Sequence, residues 1–214
     1  NIAVIGSGGR EHSICFKLKQ SKQTNKIFCI PGNAGTSAIA ENINIDVLNF
    51  KSISEFLKNN NIKIVFVGPE VPLVKGIKDY LEKKGFFVFG PSKAASRLEK
   101  SKSFTKQLCK KYKIPTAQYK SFSSMKGVKE YIKKMNTAIV IKADGLASGK
   151  GVFICNNKNE ALQKCKEINQ GKFKSSKKFV IEEFLSGEEV SYFILSDGKN
   201  YKFFGSAQDH KRIG

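Results

Sequence analysis

Short apolar runs alternate with helically spaced apolar positions along the first hundred residues of the chain. Runs rich in β-branched or aromatic residues predict buried strands, and stretches with apolar residues three or four apart predict helices. The predicted strands are residues 2–5, 27–30, 62–67 and 86–89, and the predicted helices are residues 11–20, 53–59 and 74–84. This β-α-β order predicts a parallel, doubly wound sheet, in which ligands bind beyond the carboxyl ends of the strands.

The pattern changes near residue 100, where strands begin to follow one another more closely. Helices are predicted at residues 101–112, 125–134 and 159–169, and strands at residues 138–142, 152–155, 178–184, 189–196 and 201–207. The last two strands are joined by Asp197-Gly198, a pair typical of tight hairpin turns. Successive strands with helices packed to one side predict an α+β unit. We therefore predict two domains, at residues 1–100 and 101–214.

A glycine-rich loop at residues 6–11 leads from the first strand into the first helix. Backbone N–H groups at a helix N-terminus bind anions, and the planar guanidinium of Arg10 suits a phosphate or a carboxylate. A dinucleotide fingerprint needs glycine at the position where Glu11 stands, so the loop argues against a nicotinamide site. A plain tight turn is the alternative interpretation.

A second glycine-rich loop, residues 144–151, lies between two predicted strands. It is not a Walker A loop, because Gly145 and Gly149 are one residue too close and a strand follows where a helix is needed. The loop is flanked by Lys142 and Lys150, and its backbone N–H groups suit a mobile lid that closes over phosphates. A flexible hairpin with incidental lysines is the alternative.

The strand predicted at residues 178–184 ends in two glutamates, Glu182 and Glu183. A strand edge presents backbone groups that suit the rim of an adenine ring, and a carboxylate accepts hydrogen bonds from ribose hydroxyls. An ordinary polar surface is the alternative for this segment taken alone.

The chain is strongly basic, with 38 lysines and arginines against 18 acidic residues and a net charge of +20. Such a balance attracts phosphate, but nucleic-acid readers favour arginine, and only Arg10, Arg97 and Arg212 are arginines. The lysines are spread along the whole chain. This favours a solvated surface, and we expect no nucleic-acid partner.

Five cysteines, none spaced as C-x-x-C, argue against a disulfide framework or a zinc site. Cys15, Cys29 and Cys155 fall in apolar patterns and are predicted to lie in the core, which suits a reducing, cytoplasmic location. The two histidines, His12 and His210, do not suggest a metal site. No apolar stretch approaches the roughly 20 residues of a membrane span, so we expect no membrane partner.

Two lysines, a glycine loop and an acidic strand end occur in the order typical of the ATP-grasp superfamily. They are Lys102, Lys142, the loop at residues 144–151 and the segment at residues 182–189. Further motifs at residues 6–12, 31–36, 67–70, 72–76, 89–91 and 208–212 narrow the match. On these motifs the chain resembles the phosphoribosylamine–glycine ligase family over its whole length.

The resemblance implies an α/β fold in two parts. A doubly wound parallel sheet at residues 1–100, the pre-ATP-grasp domain, would bind substrate, and a partial α+β ATP-grasp domain would follow at residues 101–214. The implied reaction joins glycine to 5-phosphoribosylamine through glycyl phosphate, giving glycinamide ribonucleotide, ADP and phosphate in purine biosynthesis. ATP and Mg²⁺ or Mn²⁺ are the implied cofactors.

The resemblance also implies that this chain lacks some parts of the family's catalytic site. We expect no metal ligands within it, since those of the family lie downstream of Gly214, and no complete catalytic site in this chain alone. We expect a monomer. Another ATP-grasp carboxylate–amine ligase and a basic nucleic-acid-binding module are the alternative functions.

Roles are carried over onto the residues that match the family's motifs. The ATP phosphates would contact Lys102 and Lys142 under the lid glycines Gly145, Gly149 and Gly151. The adenosine would contact Glu182, the backbone of Glu183 and Leu185, and Glu189. Phosphoribosylamine would contact Gly9, Arg10, Glu11, Asn33, Pro69, Glu70 and Lys75. Four residues would face the reacting centre or the glycine: Asp209, His210, Lys211 and Arg212. Together with Lys142 they are the predicted catalytic residues.

Overall fold

The N-terminal half of the chain is built on a five-stranded parallel sheet. The computed structural model describes residues 1–136, 138–146, 150–173, 176–208 and 210. The strands are β1 (Ile2–Gly6), β2 (Ile27–Pro31), β3 (Glu41–Asn42), β4 (Ile64–Val67) and β5 (Phe87–Phe89), in the spatial order β3-β2-β1-β4-β5. Every neighbouring pair is parallel.

Helices cover both faces of this sheet. They are α1 (Gly9–Lys19), α2 (Phe50–Asn59), α3 (Glu70–Lys75) and α4 (Ile77–Glu82), with a short 3-10 turn at Thr36–Ala38. On one face, side chains of α2, α3 and α4 pack with alternate residues of the strands, such as Ile5 and Ile30. On the other face, Cys15 of α1 packs against Val4 and Cys29. The prediction of a doubly wound parallel sheet is confirmed.

The single helix predicted at residues 74–84 is wrong. The chain forms α3 and α4 instead, separated by Gly76, whose φ of 97° lies in the left-handed region. A left-handed residue ends one helix, and glycine adopts that conformation without the strain that a Cβ introduces. The apolar spacing continues across the break, because both short helices pack against the same core.

The second half of the chain carries a four-stranded antiparallel sheet of order β6-β9-β7-β8. Its strands are β6 (Tyr119–Phe122), β7 (Ile139–Ala143), β8 (Val152–Cys155) and β9 (Phe179–Glu183). The helices that follow β5 are α5 (Arg97–Lys100), α6 (Lys102–Tyr112), α7 (Val128–Lys133) and α8 (Lys158–Asn169). Side chains of α7 and α8, including Val128 and Ile168, share one core with Ile139, Ile141 and Phe179. The α+β prediction is confirmed.

A two-stranded hairpin follows, formed by β10 (Val190–Ser196) and β11 (Tyr201–Gln208). The predicted turn at Asp197-Gly198 is confirmed, with the N–H of Asp197 donating to the carbonyl of Asn200. Several apolar side chains of the hairpin are exposed, among them Tyr192 and Phe203. None of the helices in the described part of the chain has the length and apolar character that a membrane crossing requires.

The three cysteines predicted to lie in the core, Cys15, Cys29 and Cys155, are buried. All five cysteines are free, and Cys165 is buried as well. Burial raises the pKa of Cys155 to about 11 and that of Cys165 to about 12. These thiols are therefore protonated near neutral pH and serve as small apolar side chains.

Candidate functional site

The loop between β1 and α1 is built around the side chain of Glu11. This carboxylate lies in the first turn of α1, is only 4% exposed, and accepts a hydrogen bond of 2.6 Å from the N–H of Gly8. A Cβ at Gly6 would lie 2.6 Å from the Glu11 side chain, and one at Gly68 would overlap it. Glycines of two loops, after β1 and after β4, therefore make room for the Glu11 side chain, which accepts a hydrogen bond from its own loop. Its predicted contact with substrate stays a prediction.

Three loops meet at the carboxyl ends of β1, β2 and β4. Arg10 donates to the carbonyl of Gly68 at 2.6 Å and forms an ion pair with Glu70 at 3.2 Å. The side-chain amide of Asn33 donates to the carbonyl of Ser7 at 2.9 Å. In a parallel sheet this edge is where ligands bind, so the fold brings these predicted substrate residues to a suitable place.

A cavity of about 420 Å³ opens beside these loops. It is lined by Gly6, Ser7, Gly8, Gly9, Arg10, Glu11, Val47, Pro69 and Glu70. Backbone groups of the glycines, one guanidinium and the start of α1 surround it, which is a suitable setting for a phosphate. Lys75, also predicted to contact substrate, is exposed at the end of α3 and does not line this cavity.

The start of α6 is tied to the end of β7 by Asp144. Ser101 caps the helix by accepting from the N–H of Phe104 at 3.1 Å. Asp144, which is 7% exposed, accepts from the Ser101 hydroxyl at 3.2 Å and from the N–H of Ser103 at 3.3 Å. A carboxylate at a helix N-terminus is stabilised by the partial positive charge there. Asp144 thereby fixes the first turn of α6, which carries Lys102, against the beginning of the second glycine loop.

Lys102 and Lys142 reach the same region from different elements. The ammonium of Lys102 donates to the carbonyl of Gly145 at 3.2 Å. Val140 pairs with Glu182 across β7 and β9, so Lys142, two residues further along β7, lies on the same face as Glu182. The two predicted phosphate contacts thus lie at the base of the glycine loop, one on a helix and one on a strand.

Glu182 forms two ion pairs through one carboxylate oxygen. Oε2 lies 2.9 Å from the Nζ of Lys142 and 3.1 Å from the Nζ of Lys106. The Glu182 side chain is 4% exposed, and its other oxygen, Oε1, is buried without a hydrogen-bond partner among the described protein atoms. A buried carboxylate oxygen left unpaired costs about 1–3 kcal/mol, so this oxygen marks a position where a ligand donor is favoured.

The end of β9 carries the other predicted adenosine contacts. The N–H of Glu183 donates to the carbonyl of Gln118 at 3.0 Å, and its carboxylate accepts from the N–H of Gln118 at 2.8 Å. Leu185, beyond the end of the strand, is 64% exposed, and Glu189 is also exposed. This segment therefore forms the exposed end of a buried strand, next to Glu182.

The second glycine loop and the residues predicted to face the reacting centre are only partly described. At the base of this loop, the N–H of Ala143 donates to the carbonyl of Gly151 at 2.7 Å. Gly145 has a φ of 103°, a backbone conformation that favours glycine. Gly149 and the predicted catalytic residues Asp209, Lys211 and Arg212 lie outside the described residues. His210 is exposed at the end of β11.

Two residues important to this site were missed from the sequence, Asp144 and Lys106. Lys106 lies four residues after Lys102 on a basic helix, so the two share one face of α6. It is 8% exposed, unlike most lysines, which remain in solvent. The i, i+4 spacing was the available signal. The described residues contain no group of three or more histidine, cysteine, aspartate or glutamate side chains suited to a metal.

Family models match the chain along its length. Residues 1–99 match phosphoribosylglycinamide synthetase, N domain, and residues 100–214 match phosphoribosylglycinamide synthetase, ATP-grasp (A) domain. A phosphoribosylamine–glycine ligase of Mesorhizobium japonicum is 46% identical over all of this chain and 51% of its own length. The chain spans about half the length of the curated relatives it matches.

Solved structures of related fold superpose on nearly the whole chain. The phosphoribosylamine–glycine ligase of Thermotoga maritima superposes with a TM-score of 0.80 and 32% identity, covering 99% of this chain and 50% of that one. The biotin carboxylase domain of a Hydrogenobacter thermophilus 2-oxoglutarate carboxylase, in complex with MgADP, superposes with a TM-score of 0.76. It is 17% identical over 97% of this chain and 49% of its own, a likeness of fold alone.

Proposed function

The chain belongs to the phosphoribosylglycinamide synthetase family, and on that premise we propose that the complete protein ligates glycine to 5-phosphoribosylamine with ATP. The products would be glycinamide ribonucleotide, ADP and phosphate. The strongest support for this proposal is the position of three charged side chains. Lys102, Lys142 and the partly unpaired Glu182 converge at the base of the second glycine loop.

The two domains of the chain bind different substrates in this proposal. Residues 1–100 form the pre-ATP-grasp domain, whose loop cavity beside Arg10 and Glu70 takes the phosphoribosylamine. Residues 101–214 form part of the ATP-grasp domain, which takes the nucleotide. The adenine lies along the segment from Glu182 to Leu185, and the phosphates extend toward Lys102 and Lys142. The positions of Glu182 at the strand end and of the two lysines near the second glycine loop support this order.

The reaction proceeds in two displacements. A carboxylate does not react directly with an amine, because its oxygen is a poor leaving group. A glycine carboxylate oxygen therefore attacks the γ-phosphorus of ATP, which forms glycyl phosphate and expels ADP. The amine of phosphoribosylamine then attacks the acyl carbon, the amide bond forms, and phosphate leaves while the nitrogen loses a proton.

The lysines of this chain act by position and charge. Phosphoryl transfer spreads negative charge over the transferring group, and a fixed ammonium beside it stabilises the transition state. The glycine loop closes over the phosphates and excludes water, which would otherwise hydrolyse the acyl phosphate. A divalent metal, when bound, would screen further charge on the transferring group.

Lys142→Ala in the complete protein tests this assignment. We expect the rate of ADP formation, measured with glycine and phosphoribosylamine both present, to fall about 10²–10³-fold, the usual effect of removing one such charge-stabilising group. Lys166→Ala, which removes an exposed lysine from α8, is the matched control and leaves the rate unchanged. Near-normal turnover of Lys142→Ala would refute the role given to Lys142.

The acceptor is tested separately. ADP release by the complete protein that depends on glycine supports the proposed reaction, whereas strict dependence on bicarbonate would point to a different ATP-grasp ligase. Duplex affinity with a steep salt dependence would instead favour the nucleic-acid-binding alternative. Absence of binding to a duplex at ~50 mM salt, where such contacts are strongest, would dismiss that alternative.

A further inference from the structure

We propose that Lys106 is a positioning residue that sets the choice of nucleotide base, by holding Glu182 so that its free oxygen accepts a hydrogen bond from the 6-amino group of adenine. The inference rests on the proposed function and goes beyond it. Lys106 was not among the predicted site residues, and the 6-amino group is the feature of the base that Glu182 would distinguish.

Lys106 is buried and its hydrogen-bonding capacity is used within the protein. Its side chain is 10% exposed, and its ammonium lies 2.7 Å from the hydroxyl of Thr116, 3.3 Å from the carbonyl of Ala117 and 3.1 Å from Oε2 of Glu182. An ammonium has three N–H donors, and these three acceptors account for them. Lys106 therefore acts on Glu182 and not directly on a phosphate. Lys142, with a side chain 30% exposed, is the partner nearer to solvent.

The arrangement makes the two oxygens of Glu182 unequal. Both ammonium groups contact Oε2, which holds the carboxylate in one orientation. Oε1 is buried and unpaired, and an ionised carboxylate oxygen is an acceptor only. The position therefore favours an N–H donor and disfavours a second acceptor, whose lone pairs would face those of Oε1.

Purine nucleotides differ at the atom that would meet this oxygen. Adenine carries an amino group at C6, a donor, whereas hypoxanthine and guanine carry a carbonyl oxygen there, an acceptor. A site built around a buried acceptor rejects a ligand without the matching donor far more strongly than an apolar pocket rejects a small change of shape. We expect kcat/KM for ATP to exceed that for inosine triphosphate by at least about a hundredfold.

Removing Lys106 should weaken the preference for ATP over inosine triphosphate. Without the second ammonium, the Glu182 carboxylate is free to turn so that both of its oxygens share Lys142, and Oε1 no longer faces the base. In Lys106→Met we expect the ratio of kcat/KM for ATP to that for inosine triphosphate to fall roughly 10- to 100-fold. The change should appear mainly in KM for ATP, with kcat at saturating ATP within about threefold of wild type, because Lys106 does not contact the transferring phosphoryl group.

Two further variants separate positioning from a general effect on the fold. Lys110→Met removes the same charge from an exposed position of the same helix and should leave the base preference unchanged. Thr116→Val removes one anchor of Lys106 at an exposed position, so it stays informative if Lys106→Met does not fold. We expect it to lower the base preference about threefold. A merely structural role of Lys106 would lower both nucleotide activities together and leave their ratio unaltered.

The measurement is the glycine-dependent rate of the complete protein with ATP and with inosine triphosphate, for wild type and the three variants. A reduced ratio in Lys106→Met and Thr116→Val, with Lys110→Met like wild type, supports the inference. A wild-type protein that forms no ADP in response to glycine would overturn the proposed function itself. An active wild type whose base preference survives both Lys106→Met and Thr116→Val would overturn the role of Lys106 alone.

Discussion

Replacing Asp144 by alanine should loosen the first turn of α6 and with it the placement of Lys102. Asp144 is 7% exposed and accepts two hydrogen bonds, from the hydroxyl of Ser101 and from the N–H of Ser103. A hydrogen bond to a charged group contributes about 1.5–3 kcal/mol. The two distances, 3.2 and 3.3 Å, are long, so the lower end applies to each. The combined loss is therefore about 3 kcal/mol.

Asp144→Asn gives the matched comparison. Asparagine keeps an acceptor of the same shape but loses the negative charge, and with it the favourable interaction with the helix N-terminus, worth about 0.3–1 kcal/mol and more when partly buried. We expect a loss of about 1–2 kcal/mol for this variant. The order of stability should be wild type, then Asn, then Ala.

Hydrogen exchange of the α6 amides measures this local stability directly. A loss of about 3 kcal/mol corresponds to exchange about a hundredfold faster in Asp144→Ala, because each factor of ten equals about 1.4 kcal/mol. The amides of α8 serve as the internal reference. This helix packs into the core through Ala161, Cys165 and Ile168, and its amides should keep their wild-type rates. Unchanged exchange in α6, or equal effects of Ala and Asn, would show that the Asp144 carboxylate does not stabilise the start of α6.

The remaining predictions concern the glycines near Glu11 and the hairpin turn. Gly68→Ala places a Cβ against the Glu11 carboxylate and should lower the free energy of unfolding by about 1–3 kcal/mol, measured by urea unfolding, whereas Gly9→Ala, with open space around its Cβ, should not lower it. Equal stability of the two variants would contradict this. The pKa of Asp197 is lowered to about 2, first by the backbone N–H of Asn200, so an NMR titration should find it well below 3.8. The carboxylate therefore stabilises the turn above about pH 3.8, and this contribution is lost as pH falls toward 2. A titration near 3.8 would contradict the turn geometry.

Much of the fold followed from apolar patterns, because buried strands and amphipathic helices leave periodic signals. The strands β1, β2, β4 and β7 are mainly apolar segments, and their positions were predicted to within one or two residues. β3 and β6 were missed, since Glu41–Asn42 and Tyr119–Phe122 are short and mostly polar. Their pairing is decided by neighbouring strands and not by their own composition.

The site was predictable only in part, for a similar reason. Arg10, Asn33 and Glu70 follow strand ends, so a parallel sheet brings them to one edge without further information. The contacts of Asp144 with the start of α6, and of Lys106 with Glu182, join segments far apart in the chain. No local pattern specifies such contacts. They depend on how β7, β9 and α6 pack together.

The central claim is that a glycine-hinged lid closes over the triphosphate of a nucleotide whose base lies beside Glu182. A crystal structure of the complete protein with a non-hydrolysable ATP analogue tests it most directly. We expect the adenine to lie beside the Glu182–Leu185 segment, with its 6-amino group on Oε1 of Glu182 and the phosphates near Lys102 and Lys142. Electron density for the analogue elsewhere, or a cleft that stays blocked at saturating analogue, would contradict it.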